Sequence, residues 1–119
     1  MQTTKHKGSC HCGAVRFEVD VDLSKGATRC NCSICAKVAQ TSVIVKPSAF
    51  TLLAGEANLG QYEWGAKIAR RSFCKTCGIH TFGGGAGPDG TEMRAINLRC
   101  VPDADLDSLT IQKFDGASA

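Results

Sequence analysis

The sequence predicts a small all-β domain stapled by metal, on three observations. Short segments of β-type residues recur along the chain and are separated by turns containing Gly or Pro. Only Ser33 to Gln40 has helical character, and only for a turn or two. Eight cysteines stand among 119 residues, most of them bunched in short turns.

The elements follow in order. Ala14 to Val19 alternates cleanly, with Val15, Phe17 and Val19 on one face and Arg16 and Glu18 on the other. Thr41 to Lys46 (TSVIVK), Phe50 to Leu53, Gly60 to Trp64 and Ala69 to Phe73 read as further strands. Thr91 to Cys100 (TEMRAINLRC) and Leu109 to Phe114 complete the set. Turns are expected at Lys25-Gly26, Lys46-Pro47-Ser48, Ala54-Gly55, Trp64-Gly65 and Pro88-Asp89-Gly90. Strands at this cadence suit a small sandwich or barrel. Such a domain buries a modest core, and a bound metal would brace it.

Hydrophobic residues make up 43% and charged residues 21%, an ordinary globular balance for a single domain spanning 1–119. The polar leader before about residue 8 and the tail after about residue 116 are expected to be loose, and His6 exposed. No apolar run approaches the roughly 20 residues of a membrane helix. The polar opening MQTTKHKGSC does not read as a signal-peptide core, so a cytoplasmic location is expected. Net charge is +3. Seven thiolates around two divalent ions would cancel it, because metal-bound thiols are deprotonated. With one Trp, one Tyr and five Phe there is no basic stripe interleaved with aromatics, and nucleic acid is not an expected partner.

In a reducing compartment, clustered cysteines point to metal rather than to disulfides. Cys10-His11-Cys12-Gly13 and Cys74-Lys75-Thr76-Cys77-Gly78 are cysteine turns closed by glycine. Glycine tolerates positive φ and lets the next backbone N–H turn back toward a sulfur. Together the two turns supply four thiolates, the closed tetrahedral set of a structural zinc site. A [2Fe–2S] centre also takes four cysteines, but its usual spacings differ. Cys30-Asn31-Cys32-Ser33-Ile34-Cys35 places three thiols within reach of one ion and needs a fourth ligand. Spacing leaves two readings open. One is a catalytic site with an exchangeable position. The other is a closed structural site completed by Cys100, His11 or His80. As an alternative to ligation, Cys100 reads as a buried thiol and His80 as a hydrogen-bonded core histidine.

Two motifs fail on context. Gly85 to Gly90 matches G-x-G-x-x-G, but a strand rather than a helix follows it, so it reads as a flexible loop. Asp103, Asp105 and Asp107 open like a calcium loop, yet Ser108 and Phe114 occupy the glycine and glutamate positions.

Four stretches together, Ser9–Phe17 (SCHCGAVRF), Cys30–Cys35 (CNCSIC), Phe73–Gly78 (FCKTCG) and Ala95–Cys100 (AINLRC), resemble the glutathione-dependent formaldehyde-activating enzymes. That family (the GFA domain) includes centromere-protein-V-like proteins, and the likeness runs from about Gly8 to Gly116. The resemblance implies a Mss4-like zinc-binding β fold with two zinc ions per chain. It assigns Cys10, Cys12, Cys74 and Cys77 to a structural zinc and Cys30, Cys32 and Cys35 to a second, functional zinc. It also implies a carbon–sulfur lyase activity, joining glutathione and formaldehyde to give S-hydroxymethylglutathione. Zinc with an open position can bind the thiol or polarise the carbonyl. Three thiolates leave that zinc complex at −1, which weakens its electrophilicity and shifts the emphasis to proximity. Tyr62, His80 or water can deliver the proton, and Lys37, Lys46, Arg70, Arg71 or Arg94 can steer an anionic thiol. The alternative is a non-catalytic zinc module for a thiol ligand or a protein partner.

Overall fold

A computed structural model describes residues 3–31, 33–38, 40–63, 69–86 and 90–114. Among the described residues, ten strands form two sheets. The smaller sheet holds β1 (Thr4–Ser9), β2 (Arg16–Val21) and β5 (Phe50–Ala54) in the order β1-β2-β5. The larger is built from β3 (Ala27–Cys30), β4 (Thr41–Val45), β6 (Leu59–Glu63), β7 (Ala69–Cys74), β8 (His80–Ala86), β9 (Glu92–Asn97) and β10 (Ile111–Phe114). Its order is β10-β3-β4-β9-β8-β7-β6, with β10 parallel to β3 and the other pairs antiparallel. One short helix, α1 (Ser33–Val38), joins β3 to β4. The all-β expectation with little helix is met.

The alternation read in β2 is what joins the sheets. Phe17 and Val19 are fully buried, and they pack with Val43, Val45, Ile96 and Leu98 of the larger sheet and its continuation. Phe50 and Phe82 stand 4.5 Å apart between ring centroids, with Phe17 5.7 Å from Phe50, so three aromatic rings bridge the layers. A second, smaller core of Val15, Cys10 and Cys74 lies under the cysteine turns.

Several boundaries differ from the sequence reading. The polar leader is not loose: Thr4–Ser9 pairs residue for residue with β2, from Thr4 opposite Val21 to Ser9 opposite Arg16. Backbone pairing holds it, and its two lysines suit a sheet edge. His6 is accordingly largely buried, bonded through Nδ1 to Asp103 at 3.0 Å and through Nε2 to Thr4 at 2.7 Å. The strand expected over Thr91 to Cys100 ends at Asn97. There the side-chain oxygen accepts the Arg99 amide at 3.1 Å and turns Leu98–Cys100 into a single 3-10 turn. β3 and β8 were not expected as strands. β3 is four residues long, too short for a periodic signal. β8 runs through Gly83-Gly84-Gly85, so the supposed glycine loop is a strand as far as Ala86. A Cβ at Gly83 would run into the Arg70 carbonyl oxygen, which explains glycine at the centre of a sheet. Cys32, the Trp64-Gly65 turn, Gly87 to Asp89 and the tail from Asp115 lie outside the described residues.

Candidate metal centre

The two cysteine turns meet, although 62 residues separate Cys12 from Cys74. The Cys10 turn opens just before β2, and the Cys74 turn links β7 to β8. Their backbones match: Cys10 N–H donates to the Val15 carbonyl at 3.0 Å, and Cys74 N–H to the Ile79 carbonyl at 3.1 Å. Each turn closes on a left-handed glycine, Gly13 at φ 82° and Gly78 at φ 80°. The amides that follow, Ala14 and Ile79, bond to Cys12 and Cys77 respectively, as the turn chemistry predicted.

The four sulfurs of Cys10, Cys12, Cys74 and Cys77 lie within 4.8 Å of one another, with Cys12 at 3.6 Å from both Cys10 and Cys74. A tetrahedron with Zn–S bonds of about 2.3 Å separates its sulfurs by about 3.8 Å. The arrangement therefore fits one tetrahedral metal ion. Further donors converge on the sulfurs: Val15 N–H reaches Cys10 at 3.3 Å, and Asn58 Nδ2 reaches Cys74 at 3.2 Å. The Ile79 and Cys12 amides push the Cys77 thiol down to about 6. The Cys77 and Thr76 amides lower Cys74 as well. Cys12 moves the other way: the Ala14 amide favours its thiolate, but burial and hydrogen bonds with Cys74, Cys10 and Cys77 push it up to about 11. Four crowded sulfurs cannot all ionise without a cation between them. Asn58 was missed in the sequence. It sits on a 3-10 turn between β5 and β6, and only the tertiary fold brings it to Cys74.

Cys30 and Cys35 stand apart from this cluster. Cys30 ends β3 and Cys35 is buried on α1, while Cys32 between them lies outside the described residues. Arg71 of β7 donates through Nη2 to Cys35 Sγ at 2.7 Å and through Nη1 to Gln40 Oε1 at 2.6 Å. The other candidate cations are placed differently. Arg70 and Arg94 both bond to one oxygen of Glu92 at 2.8 Å, and Lys37 and Lys46 are exposed.

A cavity of about 550 Å³ opens beside the four-cysteine cluster. Its lining includes Cys10, His11, His80 and Cys100, together with Val38 at the end of α1. All three residues weighed as a fourth ligand (Cys100, His11 and His80) thus face one space. His80 differs from the expected hydrogen-bonded core histidine: its Nδ1 is buried and has no hydrogen-bond partner among the described residues. Burial and the nearby Arg71 charge lower its pKa and keep the ring neutral. Its ring stacks on Phe73 at 5.6 Å. Cys100 is buried, donates to the His80 carbonyl at 3.5 Å, and is pushed up to about 11 by that burial. Tyr62 is half exposed on β6.

Comparison with known proteins adds three findings. The model of the family described as glutathione-dependent formaldehyde-activating enzyme matches residues 5–108. A Halomonas elongata protein named "Putative glutathione-dependent formaldehyde-activating enzyme" is 58% identical over 33 residues. That stretch is 28% of this chain and 21% of the relative, so the match spans about a fifth of the curated protein's length. A crystal structure of a Rhodobacter sphaeroides protein superposes with a TM-score of 0.76 at 31% identity, covering 89% of this chain and 99% of that one.

Proposed function

The chain belongs to the glutathione-dependent formaldehyde-activating enzyme family, and from that premise we propose that it is a zinc-dependent carbon–sulfur lyase joining a small thiol, glutathione, to formaldehyde. The observation that carries this reading is the division of the thiols. One set of four is close-packed to fit a single ion, and Cys30 and Cys35 are not part of that set, with Cys35 bonded instead to Arg71. In this reading Cys10, Cys12, Cys74 and Cys77 hold a structural zinc. Cys30, Cys32 and Cys35 hold a second zinc, giving two per chain.

When bound, a zinc with an exchangeable position supplies an ionised thiol at neutral pH. The residues of the chain do the remaining work. In this reading the chain holds the aldehyde beside the bound thiol, which turns a bimolecular encounter into a local one. The new bond joins the thiol sulfur to the aldehyde carbon, and the carbonyl oxygen takes up the proton released by the thiol. His80 is assigned to carry that proton. It is neutral, its Nδ1 has no partner among the described residues, and it feels the charge of the same Arg71 that reaches Cys35.

Cobalt substitution tests the reading, because cobalt–thiolate absorption follows changes in the ligand set. Two metal ions per chain are expected, with glutathione altering the spectrum of one of them. The same sample is expected to accelerate hemithioacetal formation above the spontaneous rate. A spectral response without acceleration would favour a thiol-binding module. A fourth protein ligand at the second metal, with no response to thiols, would leave a purely structural zinc protein.

A further inference from the structure

We propose that Arg71 is the positioning residue of the second thiol set: one guanidinium that fixes the Cys35 sulfur against Gln40 and offsets the negative charge of three thiolates. The proposal rests on the reading of Cys30, Cys32 and Cys35 as metal ligands.

The geometry is that of a rigid fork. Nη2 reaches Cys35 Sγ at 2.7 Å and Nη1 reaches Gln40 Oε1 at 2.6 Å, so two atoms of one planar group link the middle of α1 to the residue just before β4. Gln40 is a fixed anchor. It is only 2% exposed, and its Nε2 donates to Ser42 Oγ at 2.7 Å, so both ends of its amide are committed. Locking Gln40 locks one arm of the guanidinium, and the other arm then sets where the sulfur sits.

Helix α1 needs such a restraint. At six residues it is far too short to hold its own geometry in water. The sheet makes room for the fork. Arg71 lies directly opposite Gly83 on β8, and Gly83 lies opposite Ala95 on β9. Directly opposed residues share a face, so two small residues leave a low lane beside the long side chain.

Charge gives the same residue a second role. Three thiolates and one divalent ion total −1, which opposes the approach of a further thiolate. A permanently charged guanidinium in hydrogen-bond contact brings the assembly to neutrality. Lysine would keep the charge but could not make the two-pronged contact.

The test compares the wild-type chain with Arg71→Met and Arg71→Lys, each loaded with cobalt. Chelator competition reads the affinity of each site, and thermal unfolding serves as a control. Arg71→Met is expected to weaken the second site roughly 10–100-fold and to shift its cobalt–thiolate bands, leaving the first site unchanged. Arg71→Lys is expected to recover part of that affinity but not the band positions. Equal second-site affinity and identical bands in Arg71→Met would overturn the proposal. So would a lowered unfolding midpoint in both variants with second-site affinity intact, since that marks a residue important only for folding. Binding of one cobalt by the wild-type chain would remove the two-metal reading and this proposal together. Two cobalts in the wild type with no effect of either variant would overturn the role of Arg71 alone.

Discussion

Asn58 Nδ2 donates to the Cys74 sulfur at 3.2 Å, while the Asn58 backbone carbonyl accepts the Lys75 amide at 2.9 Å. One residue on the 3-10 turn before β6 thus grips both the side chain and the backbone of the second cysteine turn. Partners of this kind orient a ligand and tune its basicity. Asn58→Ala is expected to leave the chain folded and to weaken metal retention at the four-cysteine cluster by roughly 10–100-fold. Competition with a chromophoric chelator checks this, and unchanged retention would refute it.

The two thiol sets are expected to respond differently to serine. Cys74→Ser removes a fully buried member of the four-cysteine cluster. Structural zinc is worth roughly 10–16 kcal/mol of apparent binding energy, against about 5–15 kcal/mol of net stability in a domain. That variant should unfold or aggregate. Cys32→Ser should remain folded and retain one zinc. Circular dichroism with elemental analysis distinguishes them, and the opposite pattern would reverse the assigned roles.

Phe17 is the keystone between the sheets, fully buried against Phe50 and Phe82. Phe17→Ala should cost about 3–5 kcal/mol, because the rings around it can only partly collapse into the space. Urea unfolding of the metal-loaded protein measures the loss. A change below about 1 kcal/mol would mean that the sheets repack freely.

Glu92 bonds to Arg70 and Arg94, and the two guanidinium groups hold its carboxyl below the ordinary value of 4.5. On acidification the unfolded chain takes up this proton before the folded chain does. The contribution is therefore complete above about pH 4.5 and is lost as pH falls through the lower folded value. Glu92→Gln should flatten that part of the acid-stability curve without changing the neutral metal content. The pair of bonds lies at the surface, so the effect should also shrink with added salt. An acid limb identical to wild type in low salt would refute the assignment.

Local chemistry carried much of this protein in its sequence. The alternation of Val15, Phe17 and Val19 marked a buried face because strand side chains alternate by geometry. The spacing of Cys10, Cys12 and Gly13, and of Cys74, Cys77 and Gly78, announced two turns whose amides would point at sulfur. The short reach of such a turn is set by covalent geometry, so no distant contact was needed to foresee it. Tertiary structure decided the rest. Thr4–Ser9 has no hydrophobic pattern and becomes a strand only because β2 offers it a ladder of backbone partners. The glycine run in β8 has poor strand propensity and is fixed by the close approach of β7. Asn58 beside Cys74, and Arg71 joined to both Cys35 and Gln40, leave no local pattern at all. Contacts across 16, 36 and 31 residues arise only when the sheets assemble, because a side-chain bond depends on where two backbones meet in space.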